Sequence, residues 1–220
     1  MKRLALCLSA LVLAVGCQKP KPTFEVEVKS TPSPAILKLD GKDLGQTPAK
    51  ILLLQDSDVA RVQADFQGQV LVEQRIRFLP GDKVELVFLF GEDRSAIARA
   101  LNLKKVLVFE FAAGLTFDVN KAELKPSTLP LLARQAELLN SAFKDVTLYV
   151  CGHTDSTGRS EHNLQLSLER AKTVSQYLES QGVAKSRLRT QGYAADYPLA
   201  DNATEDGRAQ NRRTEIVIGL

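Results

Sequence analysis

The chain has 220 residues, 44% of them hydrophobic and 25% charged, the composition of ordinary globular material and enough for one large domain or two small ones. Lys and Arg number 29 against 26 Asp and Glu, and no long basic run stands out, which excludes the electrostatic footprint of a nucleic-acid-binding protein. At the N-terminus, Lys2 and Arg3 precede a short apolar stretch, Leu4 to Val15, and then small residues. That is the layout of a cleavable secretory signal over residues 1–16, too short to span a bilayer. Loss of Lys2 and Arg3 leaves 27 basic residues against 26 acidic ones, so the mature chain is close to neutral.

The signal ends in "LAVGC", which resembles the lipobox of bacterial lipoproteins. That resemblance implies lipidation at Cys17, with several acyl chains, palmitate among them, that each contribute about 0.8 kcal/mol per buried methylene to membrane attachment. Gln18 in the next position resembles lipoproteins destined for the outer membrane, with the folded domains facing the periplasm. Cys7 leaves with the signal, so Cys151 is left without a disulfide partner and reads as a small buried hydrophobe.

Residues 18–23, "QKPKPT", are polar and Pro-rich and form, with Cys17, a short extended tether. From Phe24 to Phe90 the pattern is β. "FEVEV" alternates, "AILKLDGK" carries an Asp40-Gly41 turn, and "VARVQADF", "VLVEQRIRF" and "KVELVFLF" are strand-length alternations. The expectation is a small all-β sandwich or barrel over residues 24–90. Within it "SPAILKLDGKDLGQTP", Ser33 to Pro48, resembles the PEGA domain of bacterial surface proteins, which implies spacing or contact with protein or cell wall, and no catalysis; turn geometry alone also accounts for these glycines and prolines.

Residues 91–105 gain helix formers and read as a connecting helix. Residues 106–220 then take an α/β rhythm. Strands are expected at Val106–Phe111, Val146–Cys151, Arg187–Tyr193 and Thr214–Gly219, with helices near Pro126–Phe143 and Glu161–Ser180. Leu129, Leu132, Ala136 and Leu139 give the first helix its sheet-facing stripe.

The second helix is unusual. At 100° per residue, Ala171, Val174, Tyr177 and Leu178 form one stripe, opposite Gln165, Glu169, Lys172 and Gln176. Extended toward the N-terminus, that inward stripe runs through Arg170, Ser167 and Asn163. A buried guanidinium requires an acidic partner or open access to a charged ligand. Asp155, in "GHTDSTG" after a strand end, is the candidate neighbour, in the kind of crevice where open α/β sheets bind ligands. The pattern is equally compatible with a plain structural ion pair.

Five segments, "FDVNKAELKP", "GHTDSTG", "NLQLSLERA", "GVAKSRLRTQGYAADYP" and "NRRTEIVI", resemble in order and spacing the OmpA C-terminal domain, shared by peptidoglycan-associated lipoprotein and the flagellar stator's wall anchor. The resemblance implies an α/β sandwich with helices on a mixed four-stranded sheet, and non-covalent binding of peptidoglycan through the diaminopimelate of its stem peptide. In it Asp155 would take the ammonium and Arg170 the carboxylate, while Asn163 would bind the ligand or orient the loop. Thr116, Phe117 and Asp118 match the segment that lines the pocket, Leu166 and Ser167 match the motif's "LS" pair, and Arg212 and Arg213 match "NRR". One of those two arginines would approach the ligand if they are not simply solvated. Ala194 departs from the family, where glycine is common.

An enzyme is the rival suggested by Cys151, His153 and Asp155, but residues lined up along one strand do not bring a nucleophile and base together, and no hydrolase signature surrounds the cysteine. His153 and His162 match no metal-ligand spacing and read as a loop and an exposed-helix histidine. No catalytic group, metal or cofactor is expected. The remaining alternative is a lipid-anchored adaptor whose PEGA-like part binds another envelope protein.

Overall fold

A computed structural model describes residues 24–53, 56–81 and 83–220; the expected signal, the tether and Cys17 lie outside them. The strands are β1 (Phe24–Thr31), β2 (Ile36–Leu39), β3 (Lys42–Gln46), β4 (Ala49–Leu53), β5 (Gln63–Asp65), β6 (Leu71–Leu79), β7 (Lys83–Phe90), β8 (Val106–Ala112), β9 (Leu148–His153), β10 (Leu188–Gly192) and β11 (Arg213–Gly219). The helices are α1 (Asp56–Arg61), α2 (Ala96–Ala100), α3 (Ala113–Thr116), α4 (Leu129–Ser141), α5 (Ser160–Ser180) and α6 (Glu205–Asn211). Among the described residues no helix is long and apolar enough to cross a membrane.

The mixed four-stranded sheet expected for the C-terminal part is present in the order β10-β9-β11-β8, with β9 and β10 parallel and β11 antiparallel to both neighbours. It does not end at β8. Strand β6 pairs with β8 in parallel and continues the sheet through β7, β1 and β4 to eight strands. The expected free-standing sandwich or barrel is therefore replaced by one sheet running through both parts, plus a small sheet β3-β2-β5. The cause is on the joining strands: Phe78 of β6 is in register with Phe111 of β8 and stacks on it, ring centres 5.2 Å apart. A single apolar cluster accordingly runs from Val26, Leu86 and Phe88 through Phe109 and Ile216 to Val174 and Leu178. Connecting residues on either side of a junction share a core here, so the N-terminal part cannot act as a loosely hung spacer.

Residues Val59 to Arg61 of "VARVQADF", expected as strand, are helical. Val59 and Val62, three apart, are both buried, which is helical spacing, and the acid Asp58 sits near the favourable N-terminal end. The Asp40-Gly41 turn is as expected, with φ of 51° and 80°, and joins β2 to β3. The connecting helix occupies only Ala96–Ala100; Ser95 caps it by accepting from Ala98 N at 3.1 Å.

Candidate functional site

The site is built where β9 and β10 end. At Gly152 an added Cβ would lie 1.9 Å from the main-chain oxygen of Ser167, and at Gly192 one would lie 2.6 Å from the nitrogen of Leu168. Two missing side chains thus let α5 sink backbone-first onto the strand ends. Its buried residues are Asn163, Leu166, Ser167, Arg170, Ala171, Val174, Ser175 and Leu178, so the inward stripe is polar in its first half as the periodicity implied.

A crevice of about 710 Å³ opens beside this half-helix. Phe117, Asp118 and Asn120 form one wall, the loop Thr154 to Gly158 another, and Arg212 closes an end. Arg170, only 4% exposed, lies over the Phe117 ring at 5.2 Å and donates from Nε to Lys121 O (2.9 Å) and from Nη2 to Asp118 O (3.2 Å). Among the described residues no carboxylate pairs with it. Burial, and the positive charge of Arg212, pull its pKa down, while the charge of Asp155 works the other way.

Asp155 has a different partner from the one expected. Its Oδ2 accepts from Arg212 Nη1 at 2.7 Å, and its Oδ1 accepts from the main-chain N (2.9 Å) and hydroxyl of Thr157. Burial favours the neutral acid, but the hydrogen bonds from Thr157 and Arg212 outweigh it and hold the carboxyl below its usual range. Arg212 also reaches Glu205 Oε1 of α6 at 2.8 Å. Asn163 donates to the carbonyls of Asp155 (3.3 Å) and Thr157 (2.8 Å), so here it orients the loop.

Of the residues singled out from the sequence, Phe117, Asp118, Asp155, Asn163, Leu166, Arg170 and Arg212 line this one crevice. Thr116 and Ser167 stand behind it. Thr116 Oγ1 donates to Ala112 O, and Ser167 Oγ accepts from Ala194 N at 3.1 Å, tying α5 to the exit of β10. Ala194 itself has φ of 44°, the left-handed region that favours glycine. Arg213 is not solvated: it is 1% exposed and pairs with Glu215 at 2.7 Å. Thr157, Gly158 and Glu205 also reach the crevice, as do Arg77, Leu79 and Pro80 of the N-terminal part, whose proximity depends on the β6–β8 pairing. Thr157 and Gly158 belong to the "GHTDSTG" loop, where the main-chain N of Thr157 closes an Asx turn on Asp155; nothing local signals Glu205, Arg77, Leu79 or Pro80.

Behind the crevice lies a buried ion cluster. Arg75 of β6, 5% exposed at its side chain, meets Glu73 (2.5 Å), Glu110 of β8 (2.7 Å) and Glu215 of β11 (2.5 Å). Burial alone would lower the Arg75 pKa, but these three carboxylates raise it. Burial would raise Glu215, yet Arg213 and Arg75 hold it well below the carboxylate range. His153 ends β9 fully buried, rather than in an open loop, 3.3 Å from Glu215 and stacked on Tyr193; burial and Arg213 lower its pKa and keep it neutral. Cys151 is buried beside Val108, Val217 and Ile97, and burial and Glu215 push its thiol up, away from the reactive thiolate. His162 is exposed on α5.

The four-stranded mixed sheet, its sunken helix and this crevice define an OmpA-like domain in the C-terminal part of the chain. Residues 116–212 match the OmpA family. Over 112 residues the chain is 40% identical to the probable lipoprotein YiaD of Escherichia coli K12, covering 51% of each protein. It is 41% identical over 104 residues to the peptidoglycan-binding protein ArfA of Mycobacterium tuberculosis (strain H37Rv), covering 47% of this chain and 32% of that one. The match thus spans about half or less of these curated relatives. Among solved structures, the peptidoglycan-associated lipoprotein from Burkholderia pseudomallei is 30% identical, with a TM-score of 0.43 over 47% of this chain and 87% of that one.

Proposed function

We propose that the crevice binds peptidoglycan non-covalently through the diaminopimelate of a stem peptide, and that the chain, lipidated at Cys17, tethers the outer membrane to the cell wall. The observation that carries this is Arg170: a guanidinium 4% exposed, facing a cavity, engaged by two carbonyls and, among the described residues, by no carboxylate. Such a charge is costly to bury until an anion arrives, and its planar fork matches a carboxylate better than lysine's point charge does. Asp155 supplies the complementary anion for an ammonium on the same carbon, with Arg212 as the cation that holds it until then. Likeness to a protein described as peptidoglycan-binding supports the same reading.

A few charge-assisted contacts in a sheltered pocket sum to roughly micromolar affinity, about 8 kcal/mol. Many copies on one polymeric wall then hold by avidity while each bond stays reversible. The test is co-sedimentation of the protein with intact sacculi. Wild type pellets; Asp155→Asn and Arg170→Ala remain in the supernatant with unchanged circular dichroism. A protein that serves only as an adaptor never pellets, and an enzyme releases soluble muropeptides.

A further inference from the structure

We propose that the N-terminal part of the chain is a working wall of the ligand site, in which Leu79 and Pro80 receive the methyl-bearing alanyl portion of the same stem peptide whose charged head sits at Asp155 and Arg170. The inference rests on the peptidoglycan reading above and adds a second subsite to it. Register fixes the placement: Arg77 lies beside Glu110 and Phe78 beside Phe111, so the next residues of β6 run out alongside Ala112 and into the crevice wall. This end offers apolar surface rather than spare charge, because the Arg77 guanidinium is committed to Glu110 (3.0 Å) and Glu85 (2.8 Å).

Gly114 of α3 lines the same crevice. It is exposed and has nothing within 4 Å of where a Cβ would stand. A crevice of about 710 Å³ belongs to the size class that takes a drug-sized molecule, more than one amino-acid head. The stem peptide provides that extra length, with D-alanine on one side of the zwitterionic residue and γ-D-glutamate followed by L-alanine on the other, and on this proposal an alanyl methyl reaches the Leu79 wall.

Titration calorimetry on the full chain tests this with two probes, free diaminopimelate and the tetrapeptide L-alanyl-γ-D-glutamyl-diaminopimelyl-D-alanine. Leu79→Asp weakens tetrapeptide binding about fivefold, the scale of one or two methylene groups withdrawn from apolar contact, and leaves diaminopimelate binding unchanged. Gly114→Leu, placed in open space and free of positive-φ strain, gives the same split by narrowing the crevice it lines. Variants that bind the tetrapeptide like wild type, or that weaken both probes equally, overturn the subsite and leave the parent reading standing. A wild-type chain that binds neither probe overturns both.

Discussion

Asp155 and Arg170 open onto one crevice without touching: the carboxylate is held by Arg212 at 2.7 Å, and the guanidinium by the carbonyls of Lys121 and Asp118. A mutual ion pair would commit each to the other, whereas here Arg170 has no carboxylate partner among the described residues and Asp155 is paired with Arg212 instead. On the proposed reading a zwitterionic head meets the Arg170 guanidinium with its carboxylate and competes with Arg212 for Asp155 with its ammonium. Arg170→Ala therefore raises the dissociation constant for a stem peptide about 30-fold, equivalent to a charged hydrogen-bonded contact of about 2 kcal/mol. Arg170→Lys does not restore it, since the fork and not the charge alone is needed. Equilibrium titration of the two variants checks this, and full recovery with lysine would reduce the role of Arg170 to simple charge.

Hydrogen bonds from Thr157 and then from Arg212 depress the Asp155 carboxyl pKa against burial. Arg212→Gln removes the Arg212 contribution, so the Asp155 pKa rises. The sign follows for binding: the ammonium needs the carboxylate, so the acid limb of the affinity profile begins at higher pH in the variant than in wild type. It follows for stability as well. A depressed acid stabilises the fold above its unfolded pKa, about 3.9 for Asp, and loses that contribution as pH falls through its folded value. Carboxyl-carbon NMR titration of Asp155 in both proteins reads the shift directly.

The Arg75 cluster predicts a stability effect far from the crevice. Arg75→Met leaves Glu73, Glu110 and Glu215 buried with one cation fewer, a loss of about 3 to 5 kcal/mol. Arg75 is one of the cations that hold the Glu215 carboxyl well below its ordinary range, so its loss raises that pKa and removes stability that wild type keeps above the unfolded carboxylate pKa. The deficit relative to wild type is accordingly larger at neutral pH than at mildly acidic pH. Adding Glu73→Gln, which keeps an acceptor for Ser95 (2.5 Å), recovers part of it. Urea unfolding of the three proteins at two pH values tests the sign as well as the size.

What the sequence disclosed and what it concealed divide along a physical line. Helical periodicity placed Asn163, Ser167 and Arg170 on the inward face, because a 21-residue helix states its own orientation. The partner of Asp155 could not be read that way: Arg212 comes from 57 residues further along, and only the folded sheet brings it within 2.7 Å. The alternating Glu73, Arg75 and Arg77 look like the solvated side of an edge strand. Glu73 and Arg75 are buried and Arg77 half-buried because β6 joins β8 and acquires Glu110 and Glu215 as partners. Continuity of the sheet across the expected domain boundary is a long-range pairing of the same kind, signalled by no linker composition or motif.

Gly152 turns close approach into a requirement. A methyl group there would meet the Ser167 carbonyl at 1.9 Å, and the obstacle is main chain rather than a side chain that can rotate away. Gly152→Ala must push α5 off the strand ends, at or beyond the roughly 3 kcal/mol reached by overpacked cores. The displaced helix carries Arg170 and Asn163, so binding falls together with stability. A variant with wild-type thermal stability would contradict the close contact of strand and helix at Gly152.

Ala194 is the opposite case, a residue with a side chain where the backbone favours none. Its φ of 44° lies in the left-handed region, where an L side chain crowds its own carbonyl at a cost of about 1 to 2 kcal/mol. Ala194→Gly relieves that crowding but adds freedom to the unfolded chain, worth about 0.4 to 1 kcal/mol in the other direction. The main-chain bonds that fix the turn, from Thr154 N to Ala194 O at 2.8 Å and from Ala194 N to Ser167 Oγ at 3.1 Å, survive the change. Relief exceeds the entropy loss, so the glycine variant is more stable by about 0.5 to 1 kcal/mol. Denaturant midpoints at equal slope measure the difference, and a lower midpoint for the variant would show that packing of the Ala194 methyl outweighs the strain.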